Sequence, residues 1–374
     1  MKERNEQRVS PAAGAPVGVR SLAPYRPGRP IEEVARELGL DPSGIVKLAS
    51  NENPLGMSPK AVAAVQQVLQ DGARYPDANG YDLKQALARH YGVPAEWITL
   101  GNGSNDLLEI VARTLVAPGQ GIIYSRYAFL VYPLVAQAMG AVGIEVPDLE
   151  MGHDLDAMLA AVTPETRVIF VANPNNPTGT YVSEAKMRDF LERVPPQVAV
   201  VLDEAYTEYL PGEMRYDALA WVKQFPNLVV SRTFSKAFGL AGLRVGFAVA
   251  QPELTDLFGR VRQPFNVNSL ALAAARAVLT DQVYLDETYQ VNRAGLGMLM
   301  AAFDELGLDY VPSFANFVLV KVGDAARIND LLLHAGVIVR PVANYGLPEW
   351  LRVSVGLPRE NTAFIEALKK ILGR

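Results

Sequence analysis

Four short apolar runs in the middle of the chain constrain its fold more than any other feature: Val168–Ala172, Val198–Leu202, Leu228–Ser231 and Val245–Ala250. Each is a strand's length, and none shows the alternation of a sheet with one wet face. Runs of this kind suit strands buried on both faces by flanking helices. From about residue 60 they alternate with helical periods, which predicts an α/β fold with a mostly parallel central sheet. Ser58 and Pro59 predict a helix start, a hydroxyl cap followed by proline at the first helical position. AVAAVQQVLQ then carries apolar residues at helical spacing until Asp71-Gly72. Another helix is expected from about Asp82 to Tyr91, stopped by Gly92. Beyond Pro264 the character changes to long Ala/Leu-rich helical stretches over 268–280 and 283–306. Strand-like Phe317–Lys321 and Leu351–Val355 follow, and then a final helix. These shifts divide the chain into a flexible arm (1–20), an N-terminal segment (21–60), a large α/β domain (61–265) and a smaller α+β domain (266–374).

Composition removes several function classes. The 374 residues carry a net charge of −5, so no global basic field is available to attract nucleic acid. There is no cysteine, which excludes disulfides and thiolate metal sites. His90, His153 and His334 lie far apart in sequence, a poor basis for a metal centre. No segment approaches the ~18–20 continuous apolar residues of a membrane-spanning helix. The N-terminal MKERNEQRVSPAAGAPVGVR lacks the apolar centre of a secretory signal, so a mobile arm in a cytoplasmic protein is the simpler expectation. An enzyme or a small-molecule binder remains.

Four stretches carry chemistry. In SRTFSKAFGLAGLRVG (231–246), Lys236 sits among small, hydroxyl and apolar neighbours instead of on a charged surface. A lysine so placed can have a depressed pKa and act as an amine nucleophile toward an aldehyde. Arg244 could supply a fixed positive charge for a phosphate. In VAVVLDEAYTEY, Asp203 and Glu204 follow a buried-looking strand, at the carboxyl end where open α/β sheets place ligands. Asp203 could cap a helix, or it could pair with a heterocyclic nitrogen that must stay protonated; Tyr206 lies close by. In VIFVANPNNPTGTYVS, two Asn-Pro steps and Thr-Gly force a stiff loop from which Asn176 could donate an amide N–H. In TLGNGSNDLLEIVARTLV, Gly101 and Gly103 let the backbone bend closely, and Ser104-Asn105 opens a helix whose free N–H groups could hold an anion. Each stretch alone also has a plain structural explanation.

Together they match one cofactor. Pyridoxal 5′-phosphate offers an aldehyde for the lysine, a pyridine nitrogen for the acid, a phenolic oxygen for Asn176 and Tyr206, and a phosphate. NPNNPTG, DEAY and SKAFGLAGLRVG resemble the fold-type I pyridoxal-phosphate aminotransferases, specifically the subgroup containing histidinol-phosphate aminotransferase. The resemblance runs from LAPYRPGRP and KLASNENPLG through RYPD to WLRVSVG, nearly the whole chain after the first ~20 residues.

By that resemblance, Lys236 would condense with the cofactor aldehyde and later carry the proton between the substrate α-carbon and C4′. Asp203 would salt-bridge the pyridinium nitrogen. Asn176 and Tyr206 match the residues that contact the phenolic oxygen, and Tyr127 in SRYAFLVYP the aromatic that stacks on the ring. Ser104, Asn105, Ser235 and Arg244 match the phosphate cup, with Thr233 beside it. Tyr75 in RYPD matches a tyrosine reaching the phosphate from a neighbouring subunit, which implies a homodimer with shared sites, residues 21–60 contributing dimer contacts. Arg352 matches the arginine that grips a substrate α-carboxylate. Tyr25 and Arg340 match positions that bind the phosphate of histidinol phosphate, and Asn51 in KLASNENPLG joins the substrate set. The expected reaction is transamination of L-histidinol phosphate with 2-oxoglutarate in histidine biosynthesis. Transamination of aromatic amino acids, decarboxylation of a phosphorylated amino acid on the same scaffold, and plain binding are the alternatives; the last has no need of an aldehyde-binding lysine.

Overall fold

A computed structural model describes residues 10–24 and 28–374. Its centre is a seven-stranded sheet made of β1 (Ile98–Gly101), β2 (Gly121–Ser125), β3 (Val142–Val146), β4 (Thr166–Ala172), β5 (Ala199–Asp203), β6 (Leu228–Thr233) and β7 (Gly246–Val249). Their order across the sheet is β1-β7-β6-β5-β4-β2-β3. Successive side chains of a strand point to opposite faces, and both faces here are covered. Ile169, Val171, Val200, Leu202, Val230 and Phe247 pack into one core. Their neighbours Val168, Phe170, Val201, Val229 and Ala248 pack into another on the far side. Double burial is why the sequence shows unbroken apolar runs.

One strand departs from the parallel expectation. β7 runs antiparallel to both β1 and β6. A parallel return needs a crossover of a dozen or more residues, usually a helix; the connection from Phe234 to Val245 carries only a 3-10 turn at Ala241–Leu243. The reversal has a consequence for the site. The start of β7 lies beside the ends of β1 and β6, with Gly246 opposite both Gly101 and Thr233.

Packing is continuous across the boundary expected at residue 265. Helix Ser269–Val278 puts Ala271, Ala274, Ala275 and Val278 into the same core as Ala61 of helix Pro59–Val68. The next helix, Gln282–Glu305, enters that core at Tyr284 and a different one at Leu296, Leu299 and Phe303. That second core belongs to a small antiparallel sheet of β8 (Tyr310–Val311), β9 (Phe317–Lys321), β10 (Arg340–Val342) and β11 (Leu347–Ser354). One continuous helix thus contributes to both cores. The N-terminal segment packs with the small domain: Val46–Lys47 pairs in parallel with Val337–Ile338, and Val34, Ala35 and Ile45 meet Leu333.

The arm expected to be mobile carries structure among its described residues. Val17–Ser21 is helical and docks on helix Val131–Ala138, where Gln137 Nε2 donates to the Gly18 carbonyl (3.1 Å) and Ser21 Oγ (3.0 Å). Among the described residues no helix is long and apolar enough to cross a membrane.

Candidate active site

The carboxyl ends of β1, β4, β5 and β6 and the start of β7 converge on a cavity of about 260 Å³ roofed by the small domain. Ser104, Asn105, Asn176, Asp203, Tyr206, Thr233, Ser235, Lys236 and Arg244 line it together with Asn51, Arg340 and Arg352. Residues far apart in sequence meet there because most of them lie at or just beyond strand ends on one edge of the large sheet. Asn51 comes from the N-terminal segment, and Arg340 and Arg352 come from the small sheet.

Asp203 is the last residue of β5 and is buried. Its Oδ2 accepts the O–H of Tyr132 (3.0 Å), while Oδ1 has no hydrogen-bond partner among the described residues. Burial pushes the carboxyl up to about 6, against the Tyr132 O–H and the Ala205 N–H, which favour its charged form. Glu204, the adjacent acid, turns away and pairs with buried Arg232 at 2.7 Å. One of the two acids is therefore a structural ion and the other faces the cavity.

Lys236 donates from Nζ to the Ser50 carbonyl (3.2 Å). Burial lowers its pKa to about 8, helped by the positive charges of Arg352 and Arg244. A lysine in this range keeps a useful neutral fraction near physiological pH.

The candidate anion cup is built from backbone as much as from side chains. Gly103 precedes helix Ser104–Leu115 at φ +77°, and among the described residues no side chain caps the first N–H groups of the helix. Those groups belong to the stretch where Ser104 and Asn105 line the cavity. A Cβ on Gly103 would sit 2.3 Å from an Arg244 guanidinium nitrogen. Arg244 itself is left-handed (φ +57°) and donates to Ser235 Oγ and the Ala241 carbonyl, each at 3.1 Å. Thr233 Oγ1 accepts the Ser235 N–H (3.1 Å), closing the turn that presents Ser235 and Lys236.

In the NPNNPTG loop the three asparagines divide their work. Asn173 donates to the Val182 carbonyl and Tyr216, and Asn175 to the Tyr127 carbonyl and Thr178. Only Asn176 lines the cavity; its Oδ1 accepts from Arg352 (2.6 Å), leaving the amide N–H as its donor end. Tyr206 accepts the Asn51 amide (3.0 Å), and burial pushes its phenol well up. Asn51 is held left-handed (φ +53°) by Ser354, which donates to its Oδ1 and accepts its backbone N–H. Arg352 also donates to the Ala49 carbonyl (2.8 Å), and in the small sheet it stands directly across from Arg340. Two buried arginines thus face one cavity.

Three expected residues are not among these. Tyr127 is not in the lining: the turn closed by Ala128 N–H to the Ser125 carbonyl (3.0 Å) leads it toward the Val311, Leu319 and Val342 cluster, and Phe129 lines the cavity instead. Tyr75 is 82% exposed, stacked on Phe265 with centroids 4.7 Å apart. Tyr25 lies outside the described residues. Sequence reasoning missed Phe129, Tyr132 and Ser354; the aromatic spacing of YAFLVY was the one available signal for the first two.

The donor set fits pyridoxal phosphate. The orphaned Asp203 oxygen wants a buried N–H donor, the amine of Lys236 stands in the same cavity, and the Gly103 cradle with Arg244 suits a phosphate. A family model of aminotransferase class I and II matches residues 43–368. The chain belongs to that family and is a pyridoxal-phosphate-dependent enzyme. A histidinol-phosphate aminotransferase 2 of Ralstonia nicotianae is 61% identical over 363 residues, covering 96% of this chain and 97% of that protein. A histidinol-phosphate aminotransferase 1 of Cupriavidus pinatubonensis is 60% identical over 358 residues, 95% of each. The crystal structure of histidinol-phosphate aminotransferase from Sinorhizobium meliloti in complex with pyridoxal-5′-phosphate superposes with a TM-score of 0.88 at 30% identity, covering 98% of each chain.

Proposed function

We propose that this protein transfers the amino group of L-histidinol phosphate to 2-oxoglutarate. The observation that carries the substrate is the Arg340–Arg352 pair at the cavity wall, in a chain 61% identical to a histidinol-phosphate aminotransferase. Histidinol phosphate bears a phosphate ester where an amino acid bears its α-carboxylate. One receptor must therefore take a phosphate in one half-reaction and a carboxylate in the other. Two guanidinium groups offer the five-donor forks that both anions need.

Bound pyridoxal phosphate supplies an aldehyde that takes up the amino group and a protonated ring that withdraws electrons from the α-carbon. The residues do the rest. Ser104, Asn105, Thr233, Ser235 and Arg244 hold the phosphate of the cofactor. Asp203 keeps a proton on the ring nitrogen. Asn176 and Tyr206 face its phenolic oxygen. Phe129, in place of Tyr127, packs on the ring. Lys236 offers its neutral amine to the aldehyde and, once the substrate displaces it, moves the proton between the α-carbon and C4′. Asn51 holds Tyr206, and Tyr25 would add to the substrate phosphate site. The exposed Tyr75 stacked on Phe265 suits a residue that completes a neighbouring subunit's phosphate site, which makes the working unit a homodimer; the cytoplasm is its expected compartment. Initial rates with histidinol phosphate and with phenylalanine, each with 2-oxoglutarate as acceptor, test the assignment. Histidinol phosphate should be preferred by well over tenfold in kcat/KM; preference for phenylalanine would overturn it.

A further inference from the structure

Asp203 is gripped from behind. Tyr132, fully buried on helix Val131–Ala138, lies parallel to Phe170 of β4 with centroids 4.6 Å apart at 4°, and edge-on to Phe129 at 5.9 Å. Clamped between two rings, its phenol has one place to put its proton, and Asp203 Oδ2 is there at 3.0 Å. Tyr132 does not line the cavity, so whatever it does for catalysis passes through Asp203. Burial pushes the phenol well above its ordinary range, so it remains a donor at every working pH.

Resting on the cofactor assignment above, we propose that Tyr132 is a positioning residue for the site: its O–H holds Asp203 as a carboxylate and leaves Oδ1 to the ring nitrogen of pyridoxal phosphate. The other groups acting on Asp203 are few. Lys236 and the Ala205 N–H favour its charged form, and Glu204 and burial disfavour it; Tyr206 is the other phenol nearby. A donor in a low-dielectric site is worth more than the same donor in water. Its removal tips this balance toward the neutral acid, which cannot hold a proton on the ring nitrogen.

Tyr132→Phe keeps the ring packing and deletes one oxygen. The test uses holoenzyme loaded either with pyridoxal phosphate or with an analogue in which carbon replaces the ring nitrogen. Release of pyridoxal phosphate into a trap should be roughly tenfold faster or more from the variant, the effect of one charge-assisted hydrogen bond. The analogue, with no nitrogen for Asp203 to hold, should leave wild type and variant at one rate. Infrared spectra of holoenzyme labelled in aspartate should show a protonated carboxyl near neutral pH in Tyr132→Phe and not in wild type. Incorporation of 3-fluorotyrosine at position 132, a more acidic donor, should slow release of pyridoxal phosphate, and it stands in if the phenylalanine variant does not fold. Unchanged release, or faster release of both compounds alike, would overturn the role of Tyr132. Wild-type protein that retains neither compound would overturn the cofactor assignment itself, before any variant is compared.

Discussion

At the scale of single residues the site depends on two burial effects of opposite sign. Burial lowers the Lys236 ammonium from 10.5 to about 8 and raises the Asp203 carboxyl to about 6. The amine must be neutral to capture an aldehyde, so covalent uptake of pyridoxal phosphate should speed up with rising pH through a midpoint near 8. Stopped-flow absorbance at the cofactor band checks this, and a midpoint near 10 would show that the burial effect is absent. Lys236→Ala should lose essentially all transamination, and borohydride should no longer fix the cofactor to the chain. Asp203→Ala should slow proton abstraction by roughly 10²–10³-fold, the usual scale for a lost preorganised charge partner, while Asp203→Glu keeps part of the rate. The arginines separate by substrate. A lost charge-assisted contact costs about 1.5–3 kcal/mol, roughly tenfold to more than a hundredfold. Arg340→Ala should impose that loss on histidinol phosphate and spare phenylalanine, whose single carboxylate Arg352 can hold; Arg352→Ala should damage every substrate. Comparing kcat/KM for histidinol phosphate and phenylalanine decides it, and an untouched histidinol phosphate rate in Arg340→Ala would remove the phosphate role.

At the scale of elements the candidate anion cup is a junction of three backbones. Gly246 at the start of β7 approaches so closely that a Cβ there would lie 2.8 Å from the Arg232 carbonyl oxygen and 2.9 Å from the Ser104 nitrogen. Gly103→Ala should therefore be doubly unfavourable: its φ of +77° strains any L side chain, and the methyl displaces Arg244. The expected loss is about 1–3 kcal/mol of stability from strain alone, with affinity for pyridoxal phosphate reduced at least tenfold. Urea unfolding and a fluorescence titration report the two separately. A variant with weakened stability and normal cofactor affinity would show that Arg244 does not depend on this contact. The elements themselves were largely legible beforehand, because strands buried on both faces, a Ser-Pro helix start and glycine stops are local signals. β7 was not legible as antiparallel, since direction depends on whether the connection can cross the sheet, which no residue of the strand encodes.

At the scale of the molecule one helix contributes to both cores and, on the homodimer proposal, the sites meet across two chains. Mixing Lys236→Ala subunits with Tyr75→Ala subunits should regenerate activity if Tyr75 completes a partner's site, because one site of the mixed dimer then collects both lesions and the other none. No recovery despite demonstrated subunit exchange would place Tyr75 in service of its own chain. What the sequence determined by itself was the family and the candidate set: Lys236, Asp203, Asn176 and Arg244 stand in short motifs, and all four line one cavity. What only the tertiary structure decided was the choice among near equals. Phe129 and not Tyr127 lines the cavity because one turn leads the first tyrosine away. Asp203 and not Glu204 keeps a free oxygen because Arg232, on the neighbouring strand, claims the second acid. Helix Ser269–Val278 packs into a core of the large sheet because its alanine face fits helix Pro59–Val68. Tyr132 reaches Asp203 only because β4 and β5 lie side by side, with Phe170 presenting a flat ring beneath it. Each of these is a contact between residues distant in the chain, and local sequence carries no record of which partner will be across the gap.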